Sequence, residues 1–363
     1  MAVKKTGISC DLIFHPGETL AEVLEERGIT QAELAMQTGV SPAFISNVIK
    51  GKKNISAKFA FALEYALDVP KSFWMNLQAH YDAELLEFNE MQTITDEERE
   101  ARTALNEVVK YLRQKGRMPV GENRDVSILS LRKALKFSNI ANLKDIVPEG
   151  AFRMAANTAV NPYVMGAWIR MCQLISNDNA VTARFDPDKT DELVEALKSN
   201  MRKDEANLPE ALKNTMSEYG IDFALLRNFR GAPVQGYISQ KNNGVYQMVL
   251  TLRGSFADIF WFSLFHELGH IMNGDAGKTM KFVDVRTDEE KEKKADQFAG
   301  NKLLSPDEYD KFIKKENYEI ESIKAFASSQ KVMPYIVIGR LQKEKRLPYN
   351  TYSGFKTRYK WAK

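Results

Sequence analysis

The stretch Phe265-His266-Glu267-Leu268-Gly269-His270 constrains this 363-residue chain more than any other. Two of its four histidines stand there, four residues apart around a glutamate. On a helix, positions i and i+4 share a face, so both imidazoles can reach one metal ion with Glu267 beside them. This His-Glu-x-x-His spacing is that of zinc-dependent hydrolases. Phe260, Leu264, Leu268 and Ile271 supply an apolar stripe on another side of the same helix, and Gly269 permits close backbone approach. A catalytic zinc takes three protein ligands and a water, and no third histidine follows. A downstream acid must serve. Residues 288–304 have a helical pattern in which Glu292, Ala295, Asp296 and Ala299 share a face. Its alanines allow close packing on the metal helix, from which Glu292 or Asp296 can reach the ion.

The length predicts two to three domains. Hydrophobic residues make up 44% and charged residues 27%, enough for a real core. A net charge of +3 means that nucleic-acid binding has to come from a local patch. Cys10 and Cys172 are too few for a disulfide framework or a cysteine metal site, and they fit a reducing, cytoplasmic setting. There is no signal-peptide pattern and no run of about 18 apolar residues, so no membrane partner is expected.

The first 70 residues read as short helices punctuated by glycine. His15-Pro16-Gly17 opens one with Leu20, Val23 and Leu24 inward, ending near Gly28. Thr30 and Glu33 have capping-box spacing at the start of a second, which ends at Gly39. Ser41-Pro42 is an N-cap with a first-turn proline, opening a third helix with Ile45, Val48 and Ile49 inward. A fourth follows Ser56. This is a helix-turn-helix pattern, with the Ser41–Lys50 helix as the element that enters a DNA major groove. The expected DNA-facing residues are Gln31, Ser41, Ala43, Phe44, Ser46 and Asn47, with Lys50, Lys52 and Lys53 set to hold phosphates. The third helix has no arginine, so no bidentate guanine contact is evident.

Residues 86–205 read as helical and carry no chemical motif. Further on, Leu208–Tyr219 predicts a helix, and Asp222–Phe229, Val234–Ser239 and Val245–Leu252 predict antiparallel strands, the last two joined by a hairpin turn at Asn242-Asn243-Gly244. Tyr237 and Tyr246 are candidate oxyanion donors. Past Pro306, the segments 320–329 and 333–342 form a second helix-turn-helix-like pair, read mainly as packing elements, before a basic, aromatic tail.

Two resemblances add to this reading. His15-Pro16-Gly17-Glu18 through Ser72-Phe73-Trp74-Met75-Asn76-Leu77-Gln78 resembles the HigA-type antidote proteins of addiction modules, a branch of the XRE-like helix-turn-helix regulators. It implies operator DNA binding as a dimer and a toxin partner. His266–His270, followed by Glu292-x-x-Ala295-Asp296-x-Phe298-Ala299 and Leu303-Leu304-Ser305-Pro306, resembles the ImmA/IrrE family of zinc metallopeptidases. The resemblance makes Glu292 the third ligand, with Asp296 as a hydrogen-bond acceptor behind a ligand imidazole. The family usually has Asn at the position of Asp296 and Met at that of Ser305.

The expected architecture is α+β and mostly helical. Residues 1–85 form a helix-turn-helix domain, 86–205 a helical connecting domain, 206–305 a small zincin-like peptidase domain with a short antiparallel sheet, and 306–363 a helical extension. The expected function is a DNA-binding transcriptional regulator, a cytoplasmic homodimer on a double-stranded operator. In it, Zn2+ on His266, His270 and Glu292, with Glu267 as general base, hydrolyses a peptide bond in a regulatory protein partner. The alternative is a HigA-like antitoxin that represses its own operon and binds a toxin with little peptidase activity. In a third reading the zinc is structural.

Overall fold

A computed structural model describes residues 13–147, 160–175, 181–241, 243–252, 254–275, 282–283 and 289–361. It is mostly helical with one small sheet, an α+β chain, and divides into two compact units. One runs through Arg102 and takes in Lys115–Ala134; the other comprises Thr103–Gln114 and the chain from Leu135 onward. Cys10 and Asn242 lie outside the described residues, and Cys172 is a buried free thiol.

The first unit opens with α1 (Pro16–Arg27), α2 (Gln31–Thr38), α3 (Pro42–Ile49), α4 (Ala57–Leu67) and α5 (Lys71–Gln92). Each early start has a side-chain cap that satisfies orphan backbone donors. The His15 ring accepts from Gly17 N–H at 2.9 Å while Glu18 reaches back to His15, a capping box built on histidine. Thr30 and Glu33 form the second box, and Ser41 accepts from Phe44 N–H at 3.2 Å. Between α2 and α3 the chain turns at Gly39 with φ 68°, a left-handed conformation suited to glycine. Leu20, Leu34, Ile45, Val48, Leu63 and Trp74 close the core. The α5 helix continues unbroken across position 85. In the chain it is followed by α6 (Asp96–Ala104), by α7 (Asn106–Gln114), which belongs to the second unit, and by α8 (Val126–Leu135).

In the second unit, α9 (Pro162–Leu174), α10 (Thr190–Asn200) and α11 (Leu208–Glu218) precede β1 (Ile221–Leu225), β2 (Gly236–Gln240) and β3 (Tyr246–Leu250). After these come α12 (Ala257–Met272), β4 (Phe282–Val283) and α13 (Glu289–Leu303). The sheet order is β1-β3-β2-β4. The β2–β3 and β2–β4 pairs are antiparallel, but β1 lies parallel to β3, with Ile221 opposite Tyr246. The sheet is therefore mixed, not purely antiparallel. β1 ends at Leu225 rather than Phe229, and the following loop carries the chain past β3 before β2 begins. Phe229 instead packs edge-on against Tyr111.

Side chains alternate across a strand. Phe223, Ile238, Met248 and Leu250 face one layer and join Trp261, Leu264, Phe265 and Leu268 of α12 in a single core. The α14 (Pro306–Lys314), α15 (Ile320–Ser329) and α16 (Pro334–Lys343) helices complete it with Phe312, Ile323 and Val337. The expected second helix-turn-helix pair is thus a packing device. The tail docks too: Phe256 and Arg358 form an antiparallel bridge, and the Trp261 indole donates to the Tyr359 hydroxyl at 2.9 Å. No described helix is long and apolar enough to cross a membrane.

Candidate metal centre and helix-turn-helix face

The α12 helix is buried along nearly its whole length. That is why its sequence reads as apolar almost all round, broken by the polar groups of the centre. Its closest neighbour is α13. A Cβ at Gly269 would stand 3.0 Å from Ala295 Cα and 3.2 Å from its carbonyl oxygen. Glycine on one helix and Ala295 and Ala299 on the other let the backbones approach, and this brings Glu292 to the histidines.

His266 Nε2 and His270 Nε2 are 3.0 Å apart. Glu292 Oε2 lies 3.3 Å from the first and Oε1 3.5 Å from the second. These three residues form a group able to hold a metal ion, with one donor atom from each lying within 4.8 Å of the others. Behind them, His266 Nδ1 meets Asp296 Oδ1 at 2.8 Å and His270 Nδ1 meets Asp275 Oδ2 at 2.8 Å. A carboxylate oxygen accepts, so a hydrogen on each Nδ1 suits these contacts, and both Nε2 atoms lie on the side of Glu292. In that tautomer both imidazoles offer Nε2 to an ion, as histidine ligands do. The donor set fits a metal of the zinc type, and the carboxylate–histidine pairs fix its ring orientations.

Burial, opposed by the Asp275 hydrogen bond, pushes the His270 pKa down and keeps the ring in its neutral, ligand-competent form. Burial works against ionisation of Asp296. The His266 ring N–H and the Lys343 ammonium outweigh it and hold that carboxyl below its ordinary value. Lys343 Nζ, from α16, lies 3.4 Å from Asp296 Oδ2 and 4.3 Å from the Phe262 ring centroid. Glu267 is fully buried beside the two histidines.

The sequence places neither Asp275 nor Lys343 at the centre. The signal for Asp275 was an acid five residues after His270; Lys343 had none. Asp296 is not among the converging groups but behind His266. The two candidate tyrosines lie elsewhere on the sheet. Tyr237 alternates onto the sheet face away from α12, where burial raises its pKa. Tyr246 packs edge-on against Phe185 at the far end of β3.

In the first unit, Gln31, Ser41, Ala43, Lys50, Lys52 and Lys53 are exposed, and Ser46 and Asn47 half-buried. Ser41 spends its hydroxyl on the α3 cap. Phe44, expected to point outward, is half-buried against the core, edge-on to Phe59 at 5.0 Å, because its position turns toward α4. Lys53 lies over its ring.

The pattern of caps, turn and core in the first unit and the α12–α13 cluster in the second define a two-part class: a helix-turn-helix joined to a metallopeptidase-type domain. A helix-turn-helix family model matches residues 20–74, and the Peptidase M78 model, an IrrE N-terminal-like domain, matches residues 258–336. The chain carries an XRE-like helix-turn-helix domain at one end and an ImmA/IrrE-like domain at the other. Virulence-associated protein A' of Dichelobacter nodosus is 41% identical over 69 residues, 19% of this chain and 60% of that protein. The chain therefore spans less than two thirds of that relative. Virulence-associated protein I of the same organism is 32% identical over 74 residues, 20% of this chain and 68% of that protein. Among solved structures, the Pseudomonas aeruginosa antitoxin HigA with higBA promoter is 32% identical. The match covers 23% of this chain and 96% of that one, at a TM-score of 0.21. A HigA-family addiction module antidote protein from Coxiella burnetii is 26% identical, covering 23% and 95%, at a TM-score of 0.21.

Proposed function

We propose that this protein is a DNA-binding regulator carrying a zinc-dependent endopeptidase. The observation that carries the peptidase reading is the convergence of donor atoms from His266, His270 and Glu292, with Glu267 buried on the same helix as the histidines. His266, His270 and Glu292 hold the ion; Asp296 and Asp275 keep the two imidazoles turned toward it. When bound, zinc supplies Lewis acidity that lowers the pKa of water toward about 7 and polarises a scissile carbonyl. Glu267 takes the proton from the attacking water and delivers it to the leaving amine. A structural zinc site has no use for such a base.

For DNA, the support is the helix-turn-helix match and the exposed face around α3. In this reading residues 1–85 seat α3 in the major groove of a two-fold operator as a homodimer, and Lys50, Lys52 and Lys53 hold phosphates. Residues 206–305 perform the hydrolysis on a cytoplasmic protein partner.

The test is elemental analysis of the purified chain beside His266→Ala, with cleavage of candidate partners by Glu267→Gln. The expected result is about one zinc per wild-type chain, little in His266→Ala, and full zinc without cleavage in Glu267→Gln. Equal cleavage by Glu267→Gln sinks the hydrolase reading. No zinc in either protein after metal addition leaves a DNA-binding antitoxin whose peptidase-type domain serves to bind a toxin.

A further inference from the structure

The β2 strand begins where α12 presents Ser263 and Glu267, two positions one helical turn apart. Ser263 donates to the Gln235 side-chain oxygen at 2.9 Å. The next residue, Gly236, is buried and meets Glu267. A Cβ at Gly236 would stand 2.8 Å from Glu267 Cγ, and closer still to its carboxyl carbon and Oε1. Real Cβ atoms do not come so near. The backbone at Gly236 lies outside the left-handed region, so the glycine is not there for conformational freedom. What it supplies is volume, and the group that fills the volume is the Glu267 carboxylate.

The strand has little room to give way. Thr251 N–H donates to the Gln235 carbonyl at 2.9 Å, the Thr251 hydroxyl donates to the Val234 carbonyl at 3.1 Å, and Gly236 sits in register opposite Leu250. On the other side, α12 is wedged against α13 at Gly269. With both backbones held, a methyl group at 236 has to be absorbed by the one flexible part of the contact, the end of the Glu267 side chain.

We propose that Gly236 is a positioning residue: by presenting no side chain, it lets the Glu267 carboxylate lie against β2 in the pose from which it meets water at the His266–His270–Glu292 cluster. This rests on the peptidase reading for its consequence, but not for its geometry. The substitution Gly236→Ala turns the carboxylate aside and leaves the three converging groups where they are, because the atoms nearest the added Cβ all belong to Glu267.

Two measurements separate the geometry from the chemistry. The first is thermal unfolding of the full chain in chelator, for wild type, Gly236→Ala, Glu267→Ala and the double variant. Gly236→Ala lowers the Tm by several degrees when Glu267 is present and by none in the Glu267→Ala background. If Gly236→Ala alone fails to fold, the double variant folds. Equal losses in both backgrounds, or a double variant that also fails to fold, overturn the proposal. The second is zinc content and kinetics on a cleaved partner. Gly236→Ala keeps its zinc and loses about 100-fold or more in kcat with little change in KM. A wild-type kcat overturns the proposal. A wild type that cleaves nothing overturns the peptidase reading instead, and the thermal cycle still decides the role of Gly236.

Discussion

In the helix-turn-helix, the groups that set the start of α2 and of α3 lie three residues apart: Thr30 with Glu33, Ser41 with Phe44, Gly39 between them. At the metal centre the same task spans long separations. His266 meets Asp296 across 30 residues, Asp296 meets Lys343 across 47, and Trp261 meets Tyr359 across 98. The first region exposes its candidate residues on a short-range scaffold. The second buries them where several distant segments converge. Geometry made by caps is set by local chemistry, whereas geometry made by packing needs the whole unit.

This contrast can be sharpened from its strongest side down. Glu292→Ala is expected to abolish zinc retention after dialysis, because it removes one of the three converging groups. Asp296→Ala and Asp275→Asn leave those groups in place and weaken metal affinity about 10- to 100-fold, read by competition with a chelator. Zinc kept by Glu292→Ala and lost by Asp296→Ala reverses their roles. Next, Asn47→Ala with Lys50→Ala weakens operator binding and flattens its salt dependence by about one phosphate contact, with zinc content unchanged. Unchanged binding in a titration at several salt concentrations gives α3 another job. The smallest effect is that of Ser41→Ala. It removes the α3 cap and costs about 1 kcal/mol of stability in denaturant unfolding. Full stability in that variant breaks the argument that the first region is held by its caps.

What was legible in the sequence follows the same division. The starts of α1, α2 and α3 could be read from His15-Pro16, Thr30 with Glu33 and Ser41-Pro42, since cap and capped groups are neighbours in the chain. The i, i+4 histidines were legible for the same reason, being one helical turn apart. Phe44 was misread because the choice between outward and half-buried depended on Phe59 in the next helix. The partners of the metal centre were harder still. Asp296 could be named because it shares a helix with Glu292, but its contact with Lys343 depends on α16 folding back over α12. The parallel placement of β1 beside β3 was hidden as well, because strand order is decided by where a loop crosses and not by strand composition.

The docked tail has a consequence in time. Ala257 N–H, at the start of the helix that bears both histidines, donates to the Thr357 carbonyl at 2.9 Å, and Tyr359 N–H donates back to the Ser255 carbonyl at 2.7 Å. During synthesis these tail residues leave the ribosome after every other part of the centre, whereas the residues of α1 through α4 are out long before. Domains fold as they emerge, the N-terminal one first. A nascent chain therefore has its helix-turn-helix before it has an anchored metal helix, and a copy released early at Phe355 carries the first without the second.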